Sequence, residues 1–150
     1  QMKEYLRAFA YISTQNAYSL LDRNIEEGVL SCAVENQMGV LAYGPLAGGI
    51  LTGKYQKQPH FQGGDVRKFF YPFYNQETFP KMKKSVDQLS FIHKPKNEIA
   101  INWVRAHEGI CSVLVGARNA KQVTANIQAS QWALNQNQLD TINEIFQGGR

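Results

Sequence analysis

The stretch Val113-Leu-Val-Gly-Ala-Arg-Asn-Ala-Lys-Gln-Val-Thr-Ala-Asn-Ile127 decides the architecture of this chain. It opens inside an apolar run, Cys111 to Val115, which reads as a short buried strand. Gly116 breaks the run, and Asn119 is placed to cap a helix carrying Val123 and Ile127. A strand that turns through glycine straight into a capped helix is one βα unit. The turn is also chemically apt for an anion. Gly116 lets a ligand approach the backbone, free N–H groups at the helix start point outward, and Arg118 adds a fork of donors suited to phosphate. The plain alternative is a glycine turn beside a solvated arginine, and spacing alone leaves both open.

Working outward from this unit, the same alternation recurs. Lys3 to Phe9 has helical spacing, and Tyr11 to Tyr18 is rich in β-formers and predicts a strand. Asn24 with Glu27 three residues on has the capping-box pattern, Val29, Leu30, Ala33 and Val34 supply a buried face, and Gly39 closes that helix. Val40 to Tyr43 is a second short strand, and it runs into the turn-rich Gly44-Pro-Leu-Ala-Gly-Gly49. Residues 54–76 show little periodicity and predict a long surface excursion. Phe79, Met82, Val86 and Leu89 mark the next helix. Pro95, as a first-turn proline, opens another with Ile99, Trp103 and Val104 inside and Gly109 at its end. After the 113–127 unit, Asn137 caps a last helix with Leu139, Ile142 and Phe146. Three strands alternating with helices predict an α/β fold with a parallel sheet and right-handed crossovers. No interior linker divides the chain, so residues 1–150 read as a single domain.

Composition narrows the function class. Hydrophobic residues at 43% and charged residues at 19% are ordinary globular values, which excludes disordered and fibrous classes. A net charge of +4 fits an anionic ligand such as a nucleotide phosphate without requiring one. Lys81, Lys83 and Lys84 fall in a helical pattern and read as a solvated face, so no nucleic-acid partner is expected. Cys32 and Cys111 stand far apart in apolar surroundings and read as buried free thiols of a reducing compartment. The first residues do not form a signal peptide, and no run approaches the ~18 apolar residues of a membrane span. The expectation is a soluble, cytoplasmic protein. Gln1 ahead of Met2 reads as a cleaved-tag remnant before an initiator Met, which predicts a gene encoding only this short chain.

In parallel α/β folds the chemistry sits at the C-terminal ends of strands, here Gln15 to Tyr18, Tyr43 to Gly49, and Gly116 to Asn119. Tyr43 could offer an aromatic face to a flat ligand ring, or be a core or rim tyrosine. Gln15 is polar where burial is expected, and its amide needs a partner in a ligand or in the backbone. No metal site is expected: His60, His93 and His107 lack obvious partners, and the cysteines lack ligand spacing. Gly-x-Ser-x-Gly, Walker and His-Glu-x-x-His patterns are absent. Gly44-Pro-Leu-Ala-Gly-Gly lacks the three-glycine dinucleotide spacing.

Three segments together resemble the aldo-keto reductases. Gln15-Asn-Ala-Tyr-Ser-Leu-Leu-Asp-Arg23 is similar to that family's sixth barrel strand and its exit. Gly39-Val-Leu-Ala-Tyr-Gly-Pro-Leu-Ala-Gly-Gly-Ile-Leu-Thr-Gly-Lys-Tyr55 is similar to the seventh strand and the loop over the cofactor, and residues 113–127 to the eighth strand and its helix. The last helix resembles the family's extra C-terminal helix. The resemblance covers nearly the whole chain and is nearest to bacterial reductases related to potassium-channel β-subunits. It implies a partial (β/α)8 TIM barrel, the last three βα units plus a C-terminal helix, with NADP(H) as cofactor and carbonyl reduction by hydride transfer as the parent activity.

Residue by residue, the resemblance implies that Gln15 bonds the nicotinamide carboxamide and Tyr43 stacks on the nicotinamide. Pro45, Leu46, Ala47, Gly48 and Lys54 match the loop along the pyrophosphate, and Arg67 matches a loop arginine near it. Gly116, Arg118, Gln122 and Asn126 match the pocket for the 2′-phosphate and adenine. Gly44 stands in the cofactor loop where the family often has Ser, so a hydroxyl to the pyrophosphate is lost. Ala125 stands where a Glu often serves the adenine amino group. No residue matches the family's catalytic Asp, Tyr, Lys and His, which lie on the first four strands. The implied protein is therefore inactive alone, with weak cofactor binding. The rival readings are a non-catalytic nucleotide-binding or assembly module, and one half of a split reductase. Self-association or an N-terminal half-barrel chain are the implied protein partners.

Overall fold

The computed structural model describes residues 12–147. Three five-residue strands, β1 (Ser13–Ala17), β2 (Gly39–Tyr43) and β3 (Ile110–Leu114), lie parallel in the order β1-β2-β3. The helices are α1 (Val29–Glu35), α2 (Arg67–Phe70), α3 (Thr78–Gln88), α4 (Lys96–Arg105), α5 (Ala120–Gln128) and α6 (Gln136–Gln147). The expected α/β alternation and parallel sheet are both present. The helix expected over Lys3 to Phe9 and the start of the first strand at Tyr11 lie outside the described residues.

Register assigns the two faces of the sheet. Thr14 and Asn16 lie level with Val40 and Ala42, and Val113 with Ala42; Gln15 lies level with Leu41, and Tyr43 with Leu114. Successive strand residues alternate faces, so Val40 and Ala42 share one face and Leu41 and Tyr43 the other. Val40 and Ala42 are fully buried, on the side where α1 packs against β2 and α4 against β3. On the opposite face Tyr43 is 46% and Leu114 37% exposed, and Gln15 is exposed as well. The sequence predicts a buried Gln15; among the described residues nothing packs over this face.

α4 is the centre of the packed side. The sequence predicts one apolar face, yet every residue from Glu98 to Val104 is buried. Two polar side chains accordingly find partners. Trp132 Nε1 donates to Glu98 Oε2 at 2.8 Å, and Asn102 Nδ2 donates to the Ala129 carbonyl at 2.7 Å. At the end of α4, Trp103 packs against Tyr18 and His107 at ring-centroid distances of 5.1 and 4.3 Å. Tyr18 donates to Glu26 Oε1 at 2.7 Å, and Arg23 Nε donates to the same oxygen at 2.8 Å. Burial drives the Tyr18 phenol well above its ordinary range and depresses the His107 imidazole. Burial also works to raise Glu26, but hydrogen bonds from Arg23 and Tyr18 prevail and hold it low. Asn143 of α6 accepts from both Arg23 and Trp103, at 3.0 and 3.1 Å, which ties the last helix to the exit of β1.

Several boundaries differ from expectation for local reasons. Asn24 opens a 3-10 turn, Asn24–Glu27, with no side-chain cap, and Gly28 separates this turn from α1. The neighbouring Glu26 is committed to Tyr18 and Arg23 instead. Gly39 does not end α1. Gln37 makes the left-handed turn, at φ 54°, and Gly39 begins β2. A Cβ on Gly39 would lie 2.7 Å from Cys111 Sγ, so glycine serves close strand approach there. Pro95 is the residue before α4 rather than in its first turn, and α4 ends at Arg105, before Gly109.

The cap of α6 is Asn135, not Asn137. Asn135 Oδ1 accepts from the Gln138 N–H at 2.9 Å, while Gln138 Oε1 accepts from the Asn135 N–H at 3.0 Å, a reciprocal capping box. Cys32 is buried as expected, but Cys111 is exposed, because β3 is an edge strand with a register shift opposite Val40 and Leu41. Val123 and Ile127 are 47% and 56% exposed, since α5 buries none of its residues. In the lysine run, Lys81 and Lys84 are exposed and Lys83 pairs with Asp87. No helix of the described residues is long and apolar enough to cross a membrane.

Candidate functional site

The strand exits of β2 and β3 lie side by side because Tyr43 pairs in register with Leu114. The loops leaving the two strands are therefore neighbours. Gly44 to Gly49 continues from β2, and Gly116 to Arg118 leads from β3 into the capped start of α5. Between them opens a cleft of about 600 Å³. That volume suits a small-molecule or cofactor site. Gly44, Pro45, Leu46, Ala47, Gly48, Lys54, Arg67, Gly116, Arg118, Gln122 and Asn126 all line it. Its charged lining residues are Lys54, Arg67 and Arg118, all cationic. An anion entering it meets favourable charge from both strand exits.

Gln15 and Tyr43 are the two expected site residues that do not line this cleft. Both belong to the open face of the sheet. Tyr43 stands beside it, level with the lining residue Leu114.

The glycine-rich loop is held by the aperiodic segment after it. Ala47 to Thr52 forms a 3-10 turn broken by left-handed Gly48, at φ 65°. A Cβ there would come within 2.7 Å of the Tyr71 ring, so the position admits glycine on both conformational and steric grounds. Tyr74 donates from its hydroxyl to the Gly48 carbonyl at 3.2 Å. Residues 54–76, expected as a surface excursion, thus fold back onto the loop through a cluster of Tyr55, Phe61, Tyr71, Phe73 and Tyr74.

Arg67, at the start of α2, is the hub of this segment. Its Nε donates to both carboxylate oxygens of Asp65, at 2.9 and 3.1 Å, and Nη2 pairs with Asp65 as well. Nη1 donates to the Tyr55 hydroxyl at 2.7 Å, and Phe61 lies under the guanidinium at 4.3 Å. Arg67 therefore faces the cleft with several donors engaged inside the loop. Its hydrogen bonds to Asp65 hold that carboxyl down at about 2, with a smaller contribution from the charge of Arg118.

At the other wall, the expected cap forms: Asn119 Oδ1 accepts from the Gln122 N–H at 3.0 Å. Gln122 Oε1 in turn accepts from the Arg118 N–H at 2.7 Å. The cap thus takes the Gln122 N–H, and a glutamine one turn into the helix takes the Arg118 N–H, which leaves neither free for a ligand. The Arg118 side chain is exposed, and nothing crowds Gly116, where a Cβ would meet no atom within 4 Å. Sequence reasoning missed Thr52, Tyr71 and Asn97 as lining residues. The aromatic density of residues 69–74 was the available signal for Tyr71.

Known proteins resemble this chain in sequence and in fold. The chain is 31% identical to the aldo-keto reductase YhdN of Bacillus subtilis over 98% of its own length and 46% of that protein. Its fold superposes on the glycerol dehydrogenase AKR11B4 of Gluconobacter oxydans with a TM-score of 0.88 at 26% identity, covering 99% of this chain and 46% of the other. The holo form of aldo-keto reductase AKR11C1 from Bacillus halodurans gives 0.75 at 28% identity, with 96% and 46% covered. This chain thus spans under half the length of these relatives. Residues 2–147 match the Aldo/keto reductase family, and the chain belongs to that family.

Proposed function

We propose that this chain is the C-terminal part of an NADP-dependent reductase barrel, and that it holds the cofactor without turning it over. In this reading residues 1–150 form one partial-barrel domain, the last three βα units and the C-terminal helix, of the cytoplasmic bacterial subgroup related to potassium-channel β-subunits. One observation carries the reading: the residues assigned by resemblance in the loop after β2, at Arg67 and at the exit of β3 converge on a single cationic cleft, Gln15 and Tyr43 apart. Gly44 to Gly48 and Lys54 run along the diphosphate with Arg67 beside them. Arg118, Gly116, Gln122 and Asn126 take the 2′-phosphate and adenine. Gln15 and Tyr43, on the open face next to the cleft, serve the nicotinamide. The bound cofactor would supply the hydride for carbonyl reduction. The general acid that such a reaction needs matches no residue of this chain, which is why the chain alone is proposed to be inactive.

The uncovered sheet face favours a second reading, in which a separate N-terminal half-barrel or a second copy completes the site.

The test is a calorimetric titration of the chain with NADPH and NADH, run beside a turnover assay with a panel of aldehydes. Weak binding that prefers NADPH is expected, and Arg118→Ala should weaken NADPH by about tenfold or more, the worth of a charge-assisted hydrogen bond. Equal affinity for the two cofactors, or an Arg118→Ala variant with unchanged affinity, refutes the cofactor assignment. Turnover that purifies with the chain and disappears in Arg118→Ala refutes the inactivity.

A further inference from the structure

We propose that the Tyr71 hydroxyl is a donor to the bound anion of the cleft, at the diphosphate of a dinucleotide; this rests on the cofactor reading above. Tyr71 comes directly after α2, turns its ring into space left by Gly48 and brings its hydroxyl beside Gly44. A Cβ on Gly48 would lie 2.7 and 2.8 Å from ring atoms Cδ2 and Cε2, and a Cβ on Gly44 would lie 3.7 Å from the hydroxyl oxygen. The ring is thus seated against Gly48 while its oxygen is carried to the first residue after β2. Phe73 and Tyr74 hold the ring in that place, at centroid distances of 5.6 and 6.3 Å. The Tyr71 N–H is anchored on the Arg67 carbonyl at 3.0 Å.

The neighbouring tyrosines have other duties. Tyr55 accepts from Arg67, and Tyr74 donates to the Gly48 carbonyl. The Tyr71 hydroxyl makes no hydrogen bond among the described residues, and Tyr71 lines the cleft with Lys54, Arg67 and Arg118. A phenol O–H beside such cations matches a phosphate oxygen, which accepts the proton donor while the cations balance its charge. Position also decides which phosphate. Tyr71 stands with the β2 loop, whereas Arg118 stands on the β3 exit. The hydroxyl therefore serves the diphosphate common to both nicotinamide dinucleotides, and Arg118 the 2′-phosphate that only one carries.

Tyr71→Phe keeps the ring against Gly48 and removes one oxygen. Titrated with NADPH and NADH, it should bind both about tenfold more weakly with their ratio unchanged, whereas Arg118→Ala should change the ratio. Inorganic pyrophosphate should compete with NADPH for the wild-type chain and compete less well for Tyr71→Phe. Unchanged affinity of Tyr71→Phe for both cofactors, with Arg118→Ala still weakening NADPH, overturns the role of Tyr71 and leaves the cofactor reading standing. A wild-type chain that binds neither cofactor overturns that reading and this role with it.

Discussion

Asp65 balances the cationic wall of the cleft from within the loop, gripping Arg67 through both carboxylate oxygens. Those hydrogen bonds lower its carboxyl from 3.8 to about 2. The folded value lies below the unfolded one, so over that interval the unfolded chain binds more protons. The stabilisation is thus present above 3.8 and lost as pH falls through about 2. Asp65→Asn should therefore show a flatter loss of thermal stability than wild type between these two pH values. Identical acid limbs for the two proteins would mean that the pair contributes nothing in solution. At this scale the sequence is partly legible. Resemblance puts Arg67 at the cleft, but neither Asp65 nor Tyr55 can be foreseen as its partner, since both join it only when the aperiodic loop folds back.

Elements are legible where an apolar period has something to pack against. Phe79, Met82 and Val86 mark α3, and all three are buried. The same kind of period misleads in α5, where Val123 and Ile127 repeat at helical spacing yet remain exposed. Periodicity reports the helix; burial depends on a neighbour that the described residues do not supply. Asn24 with Glu27 matches a capping pattern and forms no cap, while the working box, Asn135 with Gln138, begins two residues before the expected Asn137. α2 escapes notice because four residues carry too little period to read. Since α5 has no buried residue, its cap carries unusual weight. Asn119→Ala should cost about 1 kcal/mol in denaturant unfolding and weaken any ligand held at the helix start. A variant as stable as wild type would show that the contacts of α5 with α4 suffice without the cap.

For the whole molecule the deciding feature is what the sheet leaves uncovered. β1 and β3 are both edges of a three-stranded parallel sheet, and parallel sheets are normally covered on both faces. Here one face is packed, while on the other Tyr43 and Leu114 remain exposed and Ile12, just before β1, is 87% exposed. Leu41 and Val113 are only half-buried. The edge beyond β3 adds a second apolar surface, a groove of about 380 Å³ lined by Val113, Val123 and Ile127. Free strand edges beside apolar surface invite further pairing. Related reductases run to more than twice this length, and this chain aligns with 46% of theirs. The expectation for the isolated chain is self-association, with a symmetric dimer that shares a barrel-like core as the simplest closed arrangement. Light scattering over a concentration series should show a mass above that of one chain, rising with concentration. Addition of a chain carrying the remaining strands should compete with self-association, because both would cover the same face. A well-folded monomer throughout the micromolar range would refute this.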